Sequence, residues 1–258
     1  MKKGRKAAIA ILILIAVVCV ALIGMYYWKQ HNNQDVYEKM QKQVEEEPQE
    51  EIPEEETEEG VEIPVDFGEL QKTNSDIYAW IQIAGTNVNY PIVQSPVDDG
   101  YYLMHTVDHQ AGYPGSIYTE RCNAKDFTDF NTLIYGHDML DGSMFQNLHN
   151  YSDPEYMQAH PEIIIYTPEK KFTYRIFAAV VYDDRHIMHS FDFRQTEARQ
   201  SFLDSVYASR NMLNVIDTSV AVDTDSRIIT LSTCIASQEN NRFLVEAVLQ
   251  NEENKKAE

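Results

Sequence analysis

The stretch Ser226–Leu249, SRIITLSTCIASQENNRFLVEAVL, carries two apolar runs separated by a polar connection. Isoleucine, leucine, valine, threonine and phenylalanine dominate both runs, 226–233 and 242–249, so each reads as a β-strand. The first ends at Cys234, and a thiol at a strand's end can face solvent. Attack by sulfur requires the thiolate, so exposure and a nearby cation matter. Taken alone, a free cysteine is more often a small buried hydrophobe. Arg242 opens the second strand. If the two strands are neighbours, its guanidinium lies near the thiol, where it can steady an anionic sulfur or a developing oxyanion. An arginine at a strand edge, engaged in a surface ion pair, is the competing reading.

Working outward, 78–83, 88–93, 115–119, 131–136, 162–167 and 171–182 have the same Ile, Val, Tyr and Thr enrichment. Short helices fit at 66–74, 100–105, 143–150 and 154–159. The longest fits at about 195–213, where Phe202, Leu203, Val206 and Tyr207 recur at helical spacing. Strands packed this closely, without βαβ alternation, predict a mostly β fold with peripheral helices, a mixed barrel rather than a parallel α/β sheet.

One of these strands runs into a histidine. Asn131–Met139 reads NTLIYGHDM, and Gly136 lets the chain turn sharply just before the His137 imidazole. A lone histidine is more often structural than catalytic. Cysteine and histidine in one domain suit acyl transfer, in which thiolate attacks a carbonyl and imidazolium protonates the leaving amine.

The N-terminus argues against an ordinary cytosolic protein. Residues 7–23, AAIAILILIAVVCVALI, are all apolar, and no charge appears until Lys29. At ~1.5 Å per residue, 7–28 can cross a hydrocarbon core about 30 Å thick. Tyr26, Tyr27 and Trp28 sit where an interfacial aromatic belt belongs, and Lys2, Lys3, Arg5 and Lys6 place the N-terminus in the cytoplasm. A cleaved signal peptide is the competing reading, but its apolar region is usually shorter and ends in small residues, whereas this one ends in Ile23-Gly24-Met25-Tyr26. The expected layout is a cytoplasmic tail over 1–6, an anchor over 7–28, an acidic extracellular linker over 29–64 and a catalytic domain over 65–258. Residues 29–43 can extend the anchor helix, whereas 44–62 hold 11 Glu and no Lys or Arg, and read as an extended spacer. That segment carries more than half of the formal net charge of −20. So acidic a chain lacks the basic surface that nucleic acid requires.

TLSTC, YGH after an Asn-Thr strand, and Arg242 together resemble the sortases, the membrane-anchored transpeptidases of Gram-positive bacteria, over roughly residues 66–250. GSIY at 115–118, Met144-Phe145 and Leu148 after YGHDM, Ser232 within TLSTC, and the helix-bearing insertion 183–213 resemble class B. The resemblance implies an eight-stranded β-barrel behind a single membrane helix, with the catalytic domain outside. It implies Cys234 as nucleophile, His137 as general acid and base, and Arg242 as the group that positions substrate. Ser232 and Thr233 are implied to line the site, and Asp99, Leu103 and Ile187 to line a substrate groove. Ile235-Ala236 stands where some relatives have acidic residues, which leaves Glu239 as the nearest carboxylate. The implied partners are secreted proteins with a C-terminal sorting signal, an amine acceptor from peptidoglycan or a pilin lysine, and the membrane itself. No cofactor is implied.

Metal binding is not expected. His105/His109 and His186/His189 have helical spacing, but no cysteine or carboxylate cluster completes either set. Asp98-Asp99 and Asp183-Asp184 do not form a calcium loop. Two other readings compete with the transferase: a cysteine peptidase that releases its acyl group to water, and an anchored binding module whose Cys and His are incidental. Cys122 lies in a polar loop, TERCNAKD, and reads as an unpaired thiol rather than a redox partner of Cys234.

Overall fold

The computed structural model describes residues 2–46 and 60–256. It opens with one long helix, α1 (Lys2–Glu46), which over Ile11–Val44 is long and apolar enough to cross a membrane. Nine strands follow: β1 (Ile77–Gln82), β2 (Asn89–Val93), β3 (Ile117–Thr119), β4 (Asn131–Tyr135), β5 (Glu162–Tyr166), β6 (Lys170–Asp183), β7 (Val215–Ile216), β8 (Ile228–Cys234) and β9 (Asn241–Asn254). They pair in the order β5-β1-β2-β3-β4-β8-β9-β6, and β5 also pairs with β6, so eight strands close into a barrel. The two-residue β7 is attached outside, on β6. The eight expected strands are these eight.

Alternation along the strands sorts the apolar residues into two clusters. Ile229, Leu231, Phe243, Val245 and Ala247 point into the barrel with Ile81, Ile165, Phe172 and Tyr174. Ile228, Leu244 and Val248 point outward, and the insertion after β6 covers them with Ile187, Phe202, Leu203 and Val206. That insertion carries α4 (Ile187–Ser190) and α5 (Thr196–Ala208). Two further short helices, α2 (Phe67–Thr73) and α3 (Pro154–Ala159), begin where Asp66 and Asp153 accept backbone N–H groups of their first turns.

The structure differs from the expected elements in four places. Helix α5 ends at Ala208 rather than near 213, because Asn211 and Asn214 bond to backbone amides (Leu213 N–H and Val181 N–H) instead of continuing the helix. Strand β9 runs on to Asn254 through polar sequence, paired with the start of β6. There Glu252 is bonded by Lys170 and Arg227, and Lys171 pairs with Glu253. The segments expected as helices at 100–105 and 143–150 are short 3₁₀ turns, Tyr101–Leu103 and Gln146–Ser152. As for the expected linker over 29–64, the chain is helical to Glu46. Asn33, Tyr37, Met40 and Val44 are buried against the barrel, and residues 47–59 lie outside the described residues.

One buried carboxyl has a measurable consequence. Glu246 on β9 faces Thr230 on β8, is fully buried, and accepts a hydrogen bond from Thr230 Oγ1 at 2.7 Å. Its other oxygen and the nearby Asn131 Nδ2 have no hydrogen-bond partner. Burial pushes the carboxyl up to about 8, and Tyr182 and Tyr207 are the titratable groups facing it from β6 and α5. The folded protein therefore keeps a proton that the unfolded chain releases at ordinary carboxylate pH. Stability is complete below about 4.5 and declines as pH rises to about 8. Glu246→Gln keeps the shape and removes this decline. Each pH unit is worth ~1.4 kcal/mol, and a kcal/mol moves Tm by about 2–4 °C at this size. The melting temperature of the variant should therefore gain on wild type by on the order of 5 °C or more between pH 5 and pH 8. Parallel curves in calorimetry would show that Glu246 does not titrate in that window.

Candidate active site

The site is built by a parallel pair of strands. β4 and β8 run side by side with Tyr135 opposite Ser232, and Gly136 N–H then donates to Ser232 C=O at 3.1 Å. Beyond that bond the two strands part, one releasing His137 and the other Cys234. On β8 every residue from Ile228 to Thr233 is buried, and Cys234 is the first to emerge. His137 and Cys234 both line an open cleft of about 690 Å³, together with Tyr113, Asp138, Met139, Leu140 and four residues of α1. Gly136 is required by close packing, since a Cβ there would lie 2.6 Å from Ile117 and Phe145.

His137 is held on several sides. Its Nε2 donates to Leu103 C=O at 2.7 Å, which leaves Nδ1 as the basic nitrogen of the neutral ring. The Tyr113 ring packs edge-on against it with centroids 5.0 Å apart, and its own carbonyl accepts from Phe145 N–H at 3.0 Å. Gly115 brings the backbone close: at φ +69° its Cβ position lies 3.2 Å from His137 Cδ2.

A second imidazole, unmarked by any motif in the sequence, completes this side of the site. His149, on the 3₁₀ turn Gln146–Ser152, places Nε2 3.0 Å from Cys234 C=O and 3.5 Å from Asp138 Oδ2. Its ring packs on Phe243 with centroids 5.0 Å apart. A carbonyl can only accept, so His149 donates to it and ties the cysteine's backbone to the loop that follows His137.

Arg242 stands directly opposite Cys234 in the β8–β9 ladder, as adjacent strands require. Its Nη1 donates to the carbonyls of Glu239 and Asn241, which folds the guanidinium over the turn that joins the strands. Leu103 reaches the site through its carbonyl. Asp99 is engaged by Arg121, which donates from Nε, Nη2 and its backbone N–H and lowers the carboxyl to about 2. Ser232 and Thr233 are buried beside the cysteine, with Thr233 Oγ1 unpartnered. Ile187 is buried in the outer apolar cluster. None of these last three lines the cleft that holds Cys234.

Among the described residues no three His, Cys, Asp or Glu side chains converge as a metal-ligand set. His186 pairs with Glu120 at 2.9 Å and stacks on His189 at 3.8 Å. Cys19, Cys122 and Cys234 are all free.

The sortase-domain family model matches residues 81–250, from inside β1 to the polar part of β9. The chain belongs to the sortase family. Two relatives place it in class B. It is 34% identical to Sortase B of Listeria monocytogenes over 190 residues, 73% of this chain and 75% of that protein. It is 31% identical to Sortase B of Staphylococcus aureus over 168 residues, 65% of this chain and 67% of that protein. The solved Staphylococcus aureus sortase B–substrate complex superposes with a TM-score of 0.71 at 28% identity, covering 87% of this chain and 99% of that one. The chain is thus a sortase-type cysteine transpeptidase with the class B barrel.

His149 gives this sortase a testable feature of its own. Removing its bond to the Cys234 carbonyl should loosen the strand end without emptying the cleft. His149→Ala should lower kcat by about tenfold, the loss of one hydrogen bond of roughly 1.5 kcal/mol, with KM little changed. His149→Gln, whose amide can also donate, should recover most of that loss. Equal losses in both variants would mean that the bond itself is not what matters.

Proposed function

We propose that Cys234 is the nucleophile, His137 the general acid and base, and Arg242 the positioning cation of a transpeptidase that acts on secreted proteins at the outer face of the membrane. The observation that carries this reading is the cleft at the joint end of β4 and β8, which the exposed thiol and the imidazole both line. In the first half-reaction the Cys234 thiolate attacks the carbonyl carbon of Thr, at the peptide bond that follows it in a C-terminal sorting pentapeptide. The peptide C–N bond breaks, His137 gives its proton to the leaving amine, and a thioester remains on Cys234. In the second, an amine from a peptidoglycan cross-bridge or a pilin lysine attacks the thioester and cedes a proton to His137, and the thiolate leaves. The Staphylococcus aureus relative solved as a substrate complex supports a peptide in this cleft.

Arg242 serves geometry as well as charge. It faces the cysteine across the ladder, and a small turn of its guanidinium off the Glu239 and Asn241 carbonyls would aim planar donors at a substrate carbonyl or oxyanion. Asp99, Leu103, Ile187, Ser232 and Thr233 complete the proposed substrate contacts. Ile187 belongs to the insertion itself, and Ser232 and Thr233 are proposed to act through the backbone at the cysteine.

The anchor is read as residues 7–28, with 1–6 in the cytoplasm and the catalytic domain outside, on the apolar run and the four cations before it. Protease added to wall-stripped cells should remove the domain. Its survival there, with cleavage after lysis, would invert the topology.

Steady-state assays on pentapeptide substrates, with and without an added amine, test the chemistry. Ligated product should dominate when amine is present, and a product unchanged by amine would make the enzyme a peptidase. Cys234→Ala and His137→Ala should each abolish turnover with the fold intact. Losing an oxyanion-type donor costs on the order of 10²–10³ in rate, so Arg242→Ala should fall into that range. Arg242→Lys should fall at least about tenfold in kcat/KM, since an ammonium lacks the planar fork. A Lys variant within twofold of wild type would show that charge suffices.

A further inference from the structure

Helix α1 does not leave the barrel at the membrane. Four of its residues, Tyr26, Tyr27, His31 and Gln34, line the same cleft as Cys234 and His137. The next turns of the helix fasten it there. Asn33 Nδ2 donates to Tyr113 C=O at 2.8 Å, and Gln41 Nε2 donates to Asn89 C=O at 2.8 Å. The buried Tyr37 hydroxyl accepts from Val107 N–H at 3.0 Å and donates to Gly115 C=O. Gln34 donates to Asp141. Tyr113, Gly115 and Asp141 belong to the two loops that frame His137, so the helix grips the site from both sides.

This docking fixes the height of the cleft above the membrane. Tyr26 is the third residue past Ile23, where the apolar run ends, and at 1.5 Å per residue it stands ~4.5 Å beyond it. A wall made by Tyr26 and Tyr27 therefore lies at the level of the lipid headgroups. Lys29, the first cation past the span, reaches toward Gly112 on the same rim. That rim is unusually apolar for a face turned to water. Leu140 is fully exposed, and Leu103 and Tyr113 are 43% and 41% exposed, although all three border the catalytic imidazole or its cleft. Exposed apolar side chains clustered in one place mark a contact surface. Here the surface is continuous with a helix whose next residues are lipid-facing, and aromatic and aliphatic side chains at this depth favour the headgroup–acyl boundary.

We propose that the lipid surface is the partner of this rim: Leu103, Tyr113 and Leu140 rest on the outer leaflet, and the cleft opens along the bilayer rather than into bulk solvent. The proposal rests on α1 being the membrane anchor, and it adds that the catalytic face lies down on the lipid. A segment reaching Cys234 would then travel along the interface, which suits a peptide itself held at the membrane.

The test uses the full chain in phosphatidylcholine vesicles. In a Trp28→Phe background, Leu140→Trp places a reporter on the rim, and Val97→Trp places one at an exposed site outside the cleft lining. The buried Trp80 contributes equally to both. Flotation with the vesicles reports the anchor separately. The Leu140→Trp protein should float and emit at shorter wavelength than the Val97→Trp protein. It should lose roughly half of its added emission when the acyl chains carry bromine, because a ring at the headgroup–acyl boundary lies within about 10 Å of them. A protein that floats with both reporters in water-like emission and unquenched by bromine would overturn the lipid contact and leave the anchor standing. A protein that fails to float would overturn the anchor, and the contact with it.

Discussion

The site depends on one register. β4 and β8 are parallel, so their C-terminal ends fall on the same edge of the barrel, and the Gly136 N–H bond to Ser232 is the last that holds them together. His137 and Cys234 lie immediately beyond it. Were β8 to slip by one residue, Cys234 would turn to the barrel's other face and Thr233 would take its place, since strand side chains alternate strictly. The antiparallel partner β9 then sets Arg242 opposite the thiol without further instruction. Three residues far apart in the chain are thereby fixed by pairing that the apolar runs themselves specify.

The strands, and the joint strand end from which the proposed triad is read, were legible in the sequence for that reason. Runs such as IITLSTC and FLVEAVL carry their own period, and a Gly-His after a strand marks where a chain can leave a sheet. Closure of the barrel was less so, because the β5–β6 pairing that accompanies it depends on strand order, to which local pattern is blind. His149 left no signal at all. It sits on a 3₁₀ turn, and its importance lies in reaching Cys234, 85 residues away. Ser232, Thr233 and Ile187 illustrate the converse, in that a motif can name a residue without saying whether its side chain is buried. The polar end of β9 was missed because charge pairing with Lys170, Lys171 and Arg227, rather than hydrophobic alternation, sustains it.

The N-terminal helix is the largest departure from a simple reading by composition. The residues after the apolar run are polar and look like tether, yet Asn33, Tyr37 and Gln41 each meet a backbone group of the barrel. Polar side chains dock a helix well when their partners are backbone groups that would otherwise need water. Burial of Tyr37, which also pushes its hydroxyl far above the usual range, keeps it neutral and able to donate and accept at once. A polar seam of this kind is invisible to hydropathy, which counts such residues only as solvated.

Cys122 and Cys234, both free thiols, stand in different surroundings. Cys122 lies beside Glu120, with Sγ 3.7 Å from its carboxylate, and partial burial together with that negative charge raises the thiol to about 11. A thiolate there would sit against an anion, so the group stays protonated and slow to attack or oxidise. Cys234 has an arginine opposite it, an imidazole bonded to its own carbonyl and a second imidazole on the same cleft. Of the two carboxylates on the cleft, Asp138 lies beside His149 and Asp141 is bonded by Gln34 and Ser143. The two thiols therefore differ in their surroundings, set by β-sheet register on one side and by a loop carboxylate on the other.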